Sequence, residues 1–196
     1  MDKTIQFWYE FASPYSFISA FRIEDLAKKY SAKVIWRPFL LGPIFKKQGW
    51  NTSPFVIYPE KGKYMWRDIE RNCIKYEIPY SKPSIFPQNS LLVTRVACIA
   101  QNRGWCAEFS KAVFTANFQK GMDISDYKTV LNITGEFSSD PDGILKESVS
   151  DHNREFLHLR TEEALNHGIF GAPSFIVNGE LFWGNDRLKD AMEYTD

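Results

Sequence analysis

The chain has 196 residues, of which 44% are hydrophobic, 24% charged and 16% aromatic. That is enough apolar material for a core without disulfide or metal staples, and too much for a disordered chain. Lys plus Arg and Asp plus Glu balance at 24 each, which argues against nucleic acid or an anionic membrane as the main partner and leaves room for a local basic pocket.

Residues 1–11 carry Asp2, Lys3 and Glu10 and no apolar centre, so they do not read as a secretory signal. No stretch nears the ~20 apolar residues that a membrane-spanning helix needs. Cys73, Cys98 and Cys106 form no Cys-x-x-Cys pair and lie far in sequence from His152, His158 and His167. They read as reduced core thiols, and no metal site is expected.

Over residues 4–11, Ile5, Phe7, Tyr9 and Phe11 alternate with Gln6, Trp8 and Glu10, the period of a strand with one buried face. Ser13 is a good helix N-cap, Pro14 suits the first helical position, and Phe17, Ile18, Phe21 and Leu26 carry helical spacing to about residue 30. Residues 33–39 form a second strand ended by Pro38. A crossover of this length implies parallel strands joined right-handedly. Residues 40–58, rich in Gly and Pro, read as a loop. Helices follow near 62–76, 90–103, 105–119, 125–134, 141–149 and 151–167, with Gly104 and Gly168 as stops. Residues 85–87 belong to a proline-rich connection. Ser174–Val177 and Glu180–Trp183 then flank an Asn178-Gly179 turn of the I′ type, and a last helix runs to about Tyr194.

The order is β-α-β, a helical block, then β-β-α. It predicts a thioredoxin-like α/β fold of the DsbA type: residues 1–45 plus 168–196 form the sheet unit, and 46–167 an all-helical insertion.

Four clusters could carry chemistry. Ser13-Pro14-Tyr15-Ser16 sits where a strand meets a helix N-terminus, a place that favours a thiolate, carboxylate or phosphate. With hydroxyls at both 13 and 16, the chain cannot run a dithiol–disulfide cycle there, but a serine can donate to a thiolate held by another molecule. Plain capping is the other account of Ser13. Ala172-Pro173 precedes a strand, is compatible with a cis peptide, and would face the first helix, where the Ala172 backbone could pair with an extended ligand. Asn185, Asp186 and Arg187 could cap the last helix, or hold an α-amino group and a carboxylate. Asn51 and Lys61 lie in the lead-in to the helical block, where a lysine is usually a solvated charge. Tyr15, Phe17, Trp50, Tyr64 and Trp66 read as packing in the first place and as a pocket only in the second.

Taken together, FASPYSF (11–17), NTSPFVIYPEKGKYMWRDI (51–69), HGIFGAPSFIVNG (167–179) and LFWGNDRL (181–188) resemble the 2-hydroxychromene-2-carboxylate isomerase and kappa-class glutathione transferase family. The resemblance spans nearly the whole chain and keeps motif order; residues 78–169 match only as helices. It implies a cytoplasmic, homodimeric enzyme that uses glutathione on a small aromatic or electrophilic substrate, with the isomerase branch favoured. It places Ser13 at the glutathione sulfur, Asn51 and Lys61 beside the thiol region and the glycyl carboxylate, and the Ala172 backbone before Pro173 on the cysteinyl part. Asn185, Asp186 and Arg187 would hold the γ-glutamyl end. Where the family often has a larger apolar residue, this chain has Ala172, a change with little expected effect because only backbone groups are used. A non-catalytic glutathione or peptide binder is the reading from another class, and a disulfide oxidoreductase is disfavoured.

Overall fold

A computed structural model describes residues 3–195. Met1, Asp2 and Asp196, which carry the outer limits expected for the sheet unit, lie outside the described residues.

Strand β1 (Thr4–Tyr9), helices α1 (Pro14–Ala20) and α2 (Ile23–Tyr30), and strand β2 (Lys33–Pro38) form the first β-α-β unit. Strands β1 and β2 pair in parallel, Ile5 against Val34 and Phe7 against Trp36. Near the other end, β3 (Ser174–Val177) pairs antiparallel with both β1 and β4 (Glu180–Trp183), giving the order β2-β1-β3-β4. Asn178 (φ 51) and Gly179 (φ 83) both take the left-handed conformation that the tight hairpin needs. A short 3₁₀ turn at Asn185–Arg187 leads into the last helix, Leu188–Glu193.

The expected alternation in β1 is only half right. Ile5, Phe7 and Tyr9 are fully buried as predicted, but Trp8 is fully buried too and Glu10 is only 6% exposed. For Trp8, position in the sheet explains this, since β1 is an inner strand covered on both faces; Glu10 lies past the end of β1, which stops at Tyr9 and not at residue 11 as expected. Trp8 packs with Phe39, Leu41, Ile44, Ala164, Ile169 and Ile176. Two of those residues lie on α3 (Leu41–Lys47), in the stretch read from sequence as loop. Pro43 falls in the first turn of α3, where its missing N–H is not needed. The rest of that stretch holds α4 (Pro54–Ile57), capped by the Ser53 hydroxyl. The limit expected between residues 45 and 46 falls inside α3.

The single helix expected over 14–30 is two. It breaks at Phe21–Arg22, and the Arg22 side chain reaches across to Asn185. Helix α5 (Pro59–Lys75) starts three residues before its expected limit, with Pro59 in its first turn. Helices α6 (Leu91–Arg103), α7 (Cys106–Phe118), α8 (Tyr127–Gly135), α9 (Pro141–Ser148) and α10 (Asp151–Asn166) lie within a residue or two of expectation, the usual uncertainty of helix ends.

One apolar cluster runs through the sheet into the helical block, from Ile5, Phe7 and Tyr9 to Phe109, Val113 and Phe114. Each such aromatic, fully buried, contributes about 1.5–3 kcal/mol. The Tyr9 hydroxyl meets Ser110 Oγ at 2.6 Å, so the α7 helix is keyed to β1 by a polar bond inside that cluster. Cys73, Cys98 and Cys106 are free and buried. Among the described residues no helix is long and apolar enough to cross a membrane.

Candidate active site

Ser13 sits between β1 and α1 with φ −83 and ψ 113, the extended conformation of an N-cap. Its Oγ accepts the Ser16 N–H at 3.2 Å and donates to the Ala172 carbonyl at 3.0 Å. One hydroxyl therefore makes both the cap expected of Ser13 and a direct bond to Ala172, which faces the first helix as expected. Ala172–Pro173 is cis. The Pro173 carbonyl accepts the Gly184 N–H at 3.0 Å, which ties this turn to the 184–187 segment. Two glycines permit the approach. A Cβ on Gly171 would lie 2.5 Å from Trp183 Nε1, and Gly184 has φ +107, which side-chain-bearing residues rarely adopt.

Ser16 is fully buried and turns inward, its Oγ facing the Glu10 N–H at 3.5 Å. Tyr15 lies on the outer side of the turn. Its hydroxyl donates to Asp68 Oδ2 at 2.9 Å, and its ring is 6.3 Å from Phe55, so α1 carries α5 and α4 beside the site. Burial, and then the Asp68 carboxylate, hold the Tyr15 hydroxyl well above its usual range, as a donor. The Asp186 charge acts on Tyr15 in the same direction, which places Asp186 on this side.

The 185–187 trio divides. Asn185 is buried, and its Oδ1 accepts from Ser19 Oγ at 3.1 Å and from Arg22 Nη1 at 2.6 Å. The same Arg22 nitrogen also reaches the Asn185 carbonyl at 3.1 Å, and the guanidinium lies 3.7 Å over the Tyr76 ring. Asp186 and Arg187 are exposed and pair at 3.3 Å, and Arg187 also meets Asp190 at 2.7 Å. Asn51 and Lys61 are exposed as well; Lys61 Nζ stands 4.7 Å from the Tyr58 ring. Among the described residues neither is hydrogen-bonded to Ser13, Ala172 or the 185–187 segment, whereas hydrogen bonds link Ser13 to Ala172 and the Pro173 carbonyl to the Gly184 N–H at the head of the 185–187 segment. Of the aromatics, Phe17 is core, Trp66 packs on Phe86, Trp50 lies against Phe45, and only Tyr64 stands largely free.

Sequence reasoning missed Arg22, Ser19, Asp68 and Glu10. Glu10 had a visible signal, a lone carboxylate among Trp8, Tyr9 and Phe11. One of its oxygens accepts from Ser90 Oγ and the other accepts the Ala12 N–H at 2.9 Å. Burial pushes this carboxyl from 4.5 to about 7, against the lowering effect of both bonds. The folded state thus holds the proton longer than the unfolded chain. The contribution of this one group to stability is fully present below pH 4.5 and is lost as pH rises toward 7, by an amount on the order of 3 kcal/mol. Urea denaturation across that window should show the decline in wild type and not in Glu10→Gln; parallel curves would mean that the carboxyl titrates normally.

Residues 4–195 match the family model of the DSBA-like thioredoxin domain. A 2-hydroxychromene-2-carboxylate isomerase of Sphingobium xenophagum is 30% identical over 197 residues, covering 99% of this chain and 98% of that protein. Human glutathione S-transferase kappa 1 is 24% identical over 203 residues, covering 96% of this chain and 89% of its own. In structure, a solved 2-hydroxychromene-2-carboxylate isomerase superposes with a TM-score of 0.86 at 23% identity, over 97% of this chain and 94% of that one. The fold is thus a shared one, and this chain belongs to the 2-hydroxychromene-2-carboxylate isomerase and kappa-class glutathione transferase family, built on the DsbA-like thioredoxin fold.

Proposed function

We propose that the protein is a glutathione-dependent isomerase that converts 2-hydroxychromene-2-carboxylate to trans-o-hydroxybenzylidenepyruvate, a step of aromatic degradation. The observation that carries this reading is the Ser13–Ala172 hydrogen bond. Its donor and its acceptor are the two groups that the cysteinyl unit of glutathione would use. An incoming cysteinyl N–H would take over the Ala172 carbonyl, which frees the Ser13 proton for the sulfur. One bond inside the protein is exchanged for two to the ligand, and the Ser16 N–H keeps its acceptor throughout.

Bound glutathione would supply a thiolate that adds to the activated carbon of the chromene, opens the ring, permits the bond rotation and departs. The chain's task is to hold that sulfur ionised. A thiol with a pKa near ~8.5 needs ~2.7 kcal/mol of differential stabilisation to drop by ~2 units. A hydrogen bond to a charged group contributes ~1.5–3 kcal/mol and a helix N-terminus ~0.3–1 kcal/mol, which together reach that figure. Asp186 would take the γ-glutamyl ammonium and Arg187 its carboxylate, while Asn185 anchors their backbone. Asn51 would lie beside the thiol region and Lys61 would meet the glycyl or the substrate carboxylate. In keeping with the family resemblance, we place the enzyme in the cytoplasm as a homodimer.

The kinship to a kappa transferase supports a second reading, in which the same thiolate attacks an electrophile and stays attached. Turnover of the chromene supports the isomerase, and conjugation of chlorodinitrobenzene without it supports the transferase. Glutathione binding with neither leaves a binder only. Insulin reduction is not expected: Ser13 and Ser16 carry no sulfur, and burial pushes the Cys73, Cys98 and Cys106 thiols up to about 11, 12 and 11.

Asp186→Ala is expected to raise KM for glutathione with kcat nearly kept, because contacts to the γ-glutamyl end are equal in ground and transition states. An unchanged KM would reduce Asp186 to a surface partner of Arg187.

A further inference from the structure

Glu10 stands apart from the groups named so far: it is buried, and among the described residues no cation pairs with it. It nonetheless bonds to Ala12, Ser13 and Ser16 of the turn that carries Ser13. Its carboxylate accepts the Ala12 N–H at 2.9 Å, its carbonyl accepts the Ser13 N–H at 3.0 Å, and its own N–H faces Ser16 Oγ at 3.5 Å. The remaining carboxylate oxygen leaves the turn and accepts from Ser90 Oγ at the head of α6.

Ser90 is the residue at the N-cap of α6, yet its hydroxyl makes no capping bond to its own helix. Asn89 Oδ1 takes the Leu91 N–H instead, at 3.0 Å, which leaves the Ser90 hydroxyl for Glu10. A helix N-terminus also favours a carboxylate beside it. A second strut reaches the same turn from α7, where Asn117 Nδ2 donates to the Phe11 carbonyl at 3.1 Å. The helical block therefore grips the Ser13 turn from behind at two points, by the Glu10 carboxylate and by Asn117, in addition to the bond that Tyr15 makes to Asp68 on the outer side.

We infer that Glu10 is a positioning residue for Ser13: its carboxylate, clamped between the Ala12 N–H and Ser90 Oγ, ties the turn that aims the Ser13 hydroxyl to the head of α6. This rests on the reading of Ser13 as the group that holds the glutathione sulfur. The consequence is that the precision of the sulfur site depends on the helical block as well as on α1.

Glu10→Gln and Glu10→Ala separate this role from simple charge and simple packing. Both remove the negative charge. The glutamine keeps an acceptor for the Ala12 N–H and offers its amide to Ser90 Oγ; the alanine keeps neither. Titration of the thiolate absorbance of bound glutathione in the full-length protein should give a thiol pKa about one unit higher in Glu10→Ala than in Glu10→Gln, a tenfold change in ionisation. Turnover in the alanine variant should fall about ten- to a hundredfold below that of the glutamine variant, through kcat more than KM for glutathione. Equal thiol pKa values and equal kcat in the two variants, with the alanine only less stable, would overturn the inference. Should Glu10→Ala not fold, Ser90→Ala takes its place: a raised thiol pKa and a severalfold slower kcat support the clamp, and wild-type values overturn it. The wild-type titration tests the underlying reading separately. A wild-type protein that leaves the glutathione thiol at its ordinary pKa refutes the Ser13 assignment, and the role of Glu10 falls with it.

Discussion

Ser13→Ala is expected to raise the thiol pKa of bound glutathione by about one to two units and to cut turnover by one to a few powers of ten, with glutathione affinity falling less. The hydroxyl's hydrogen bond is worth most to a charged sulfur, so its loss penalises thiolate over thiol. The backbone at the head of α1 remains, and some activation should survive. The variant should also be less stable by about 0.5–2 kcal/mol, because the same oxygen caps the Ser16 N–H. Those two effects have different origins and can be pulled apart. Ser150 caps α10 in the same manner, accepting the Asn153 N–H at 3.3 Å, far along the chain from the sulfur site. Ser150→Ala should lose comparable stability and leave the thiol titration untouched. If Ser13→Ala behaves like Ser150→Ala, with an unchanged thiol pKa, Ser13 is a cap and nothing more.

The hairpin of β3 and β4 was legible because it is local. Asn178-Gly179 fixes a two-residue turn, and the turn fixes the register on both sides. The parallel pairing of β1 with β2 was legible from the length of the crossover. What could not be read was anything decided by a neighbour distant in sequence. Helix α3 looks like a loop because Gly42 and Pro43 are poor helix formers, and it forms because Leu41 and Ile44 have Trp8 and Phe39 to cover. The break between α1 and α2 has no proline or glycine to announce it. It coincides with the reach of Arg22 to a residue 163 positions away.

The site divides along the same line. Ser13, Ala172 and Pro173 were readable because helix caps and strand-entry prolines are short-range signals. Their meeting at 3.0 Å needed only the fold. Glu10 reads from sequence as the last polar position of a strand over 4–11, but the strand ends at Tyr9 and Glu10 belongs to the turn that follows, where Ser90, distant in sequence, meets its carboxylate. Asn185, Asp186 and Arg187 all read in sequence as polar residues at a helix start. Burial separates them, and burial is not a property of the tripeptide.

That separation carries the second large effect. Asn185→Ala should cost about 2–4 kcal/mol of stability, which for a chain of this size lowers Tm by several degrees. The alanine removes the acceptor of two donors at once. The Ser19 hydroxyl is fully buried and would have no partner in place of Asn185 Oδ1. Arg22, partly buried on Tyr76, would keep only the Asn185 carbonyl and the ring face. A buried donor left unpaired costs more than the bond was worth, and a charged donor more again. Because Arg22 holds the segment that presents Asp186, glutathione affinity should weaken as well, so Asn185→Ala loses both stability and binding, whereas Asp186→Ala loses binding alone. A double-mutant cycle with Arg22→Ala measures the link: a coupling near ~1–2 kcal/mol is expected for residues sharing one network. A coupling of zero, with Tm kept in Asn185→Ala, would mean that the clamp between α1 and the 185–187 turn bears no load and that Asn185 acts on the ligand directly.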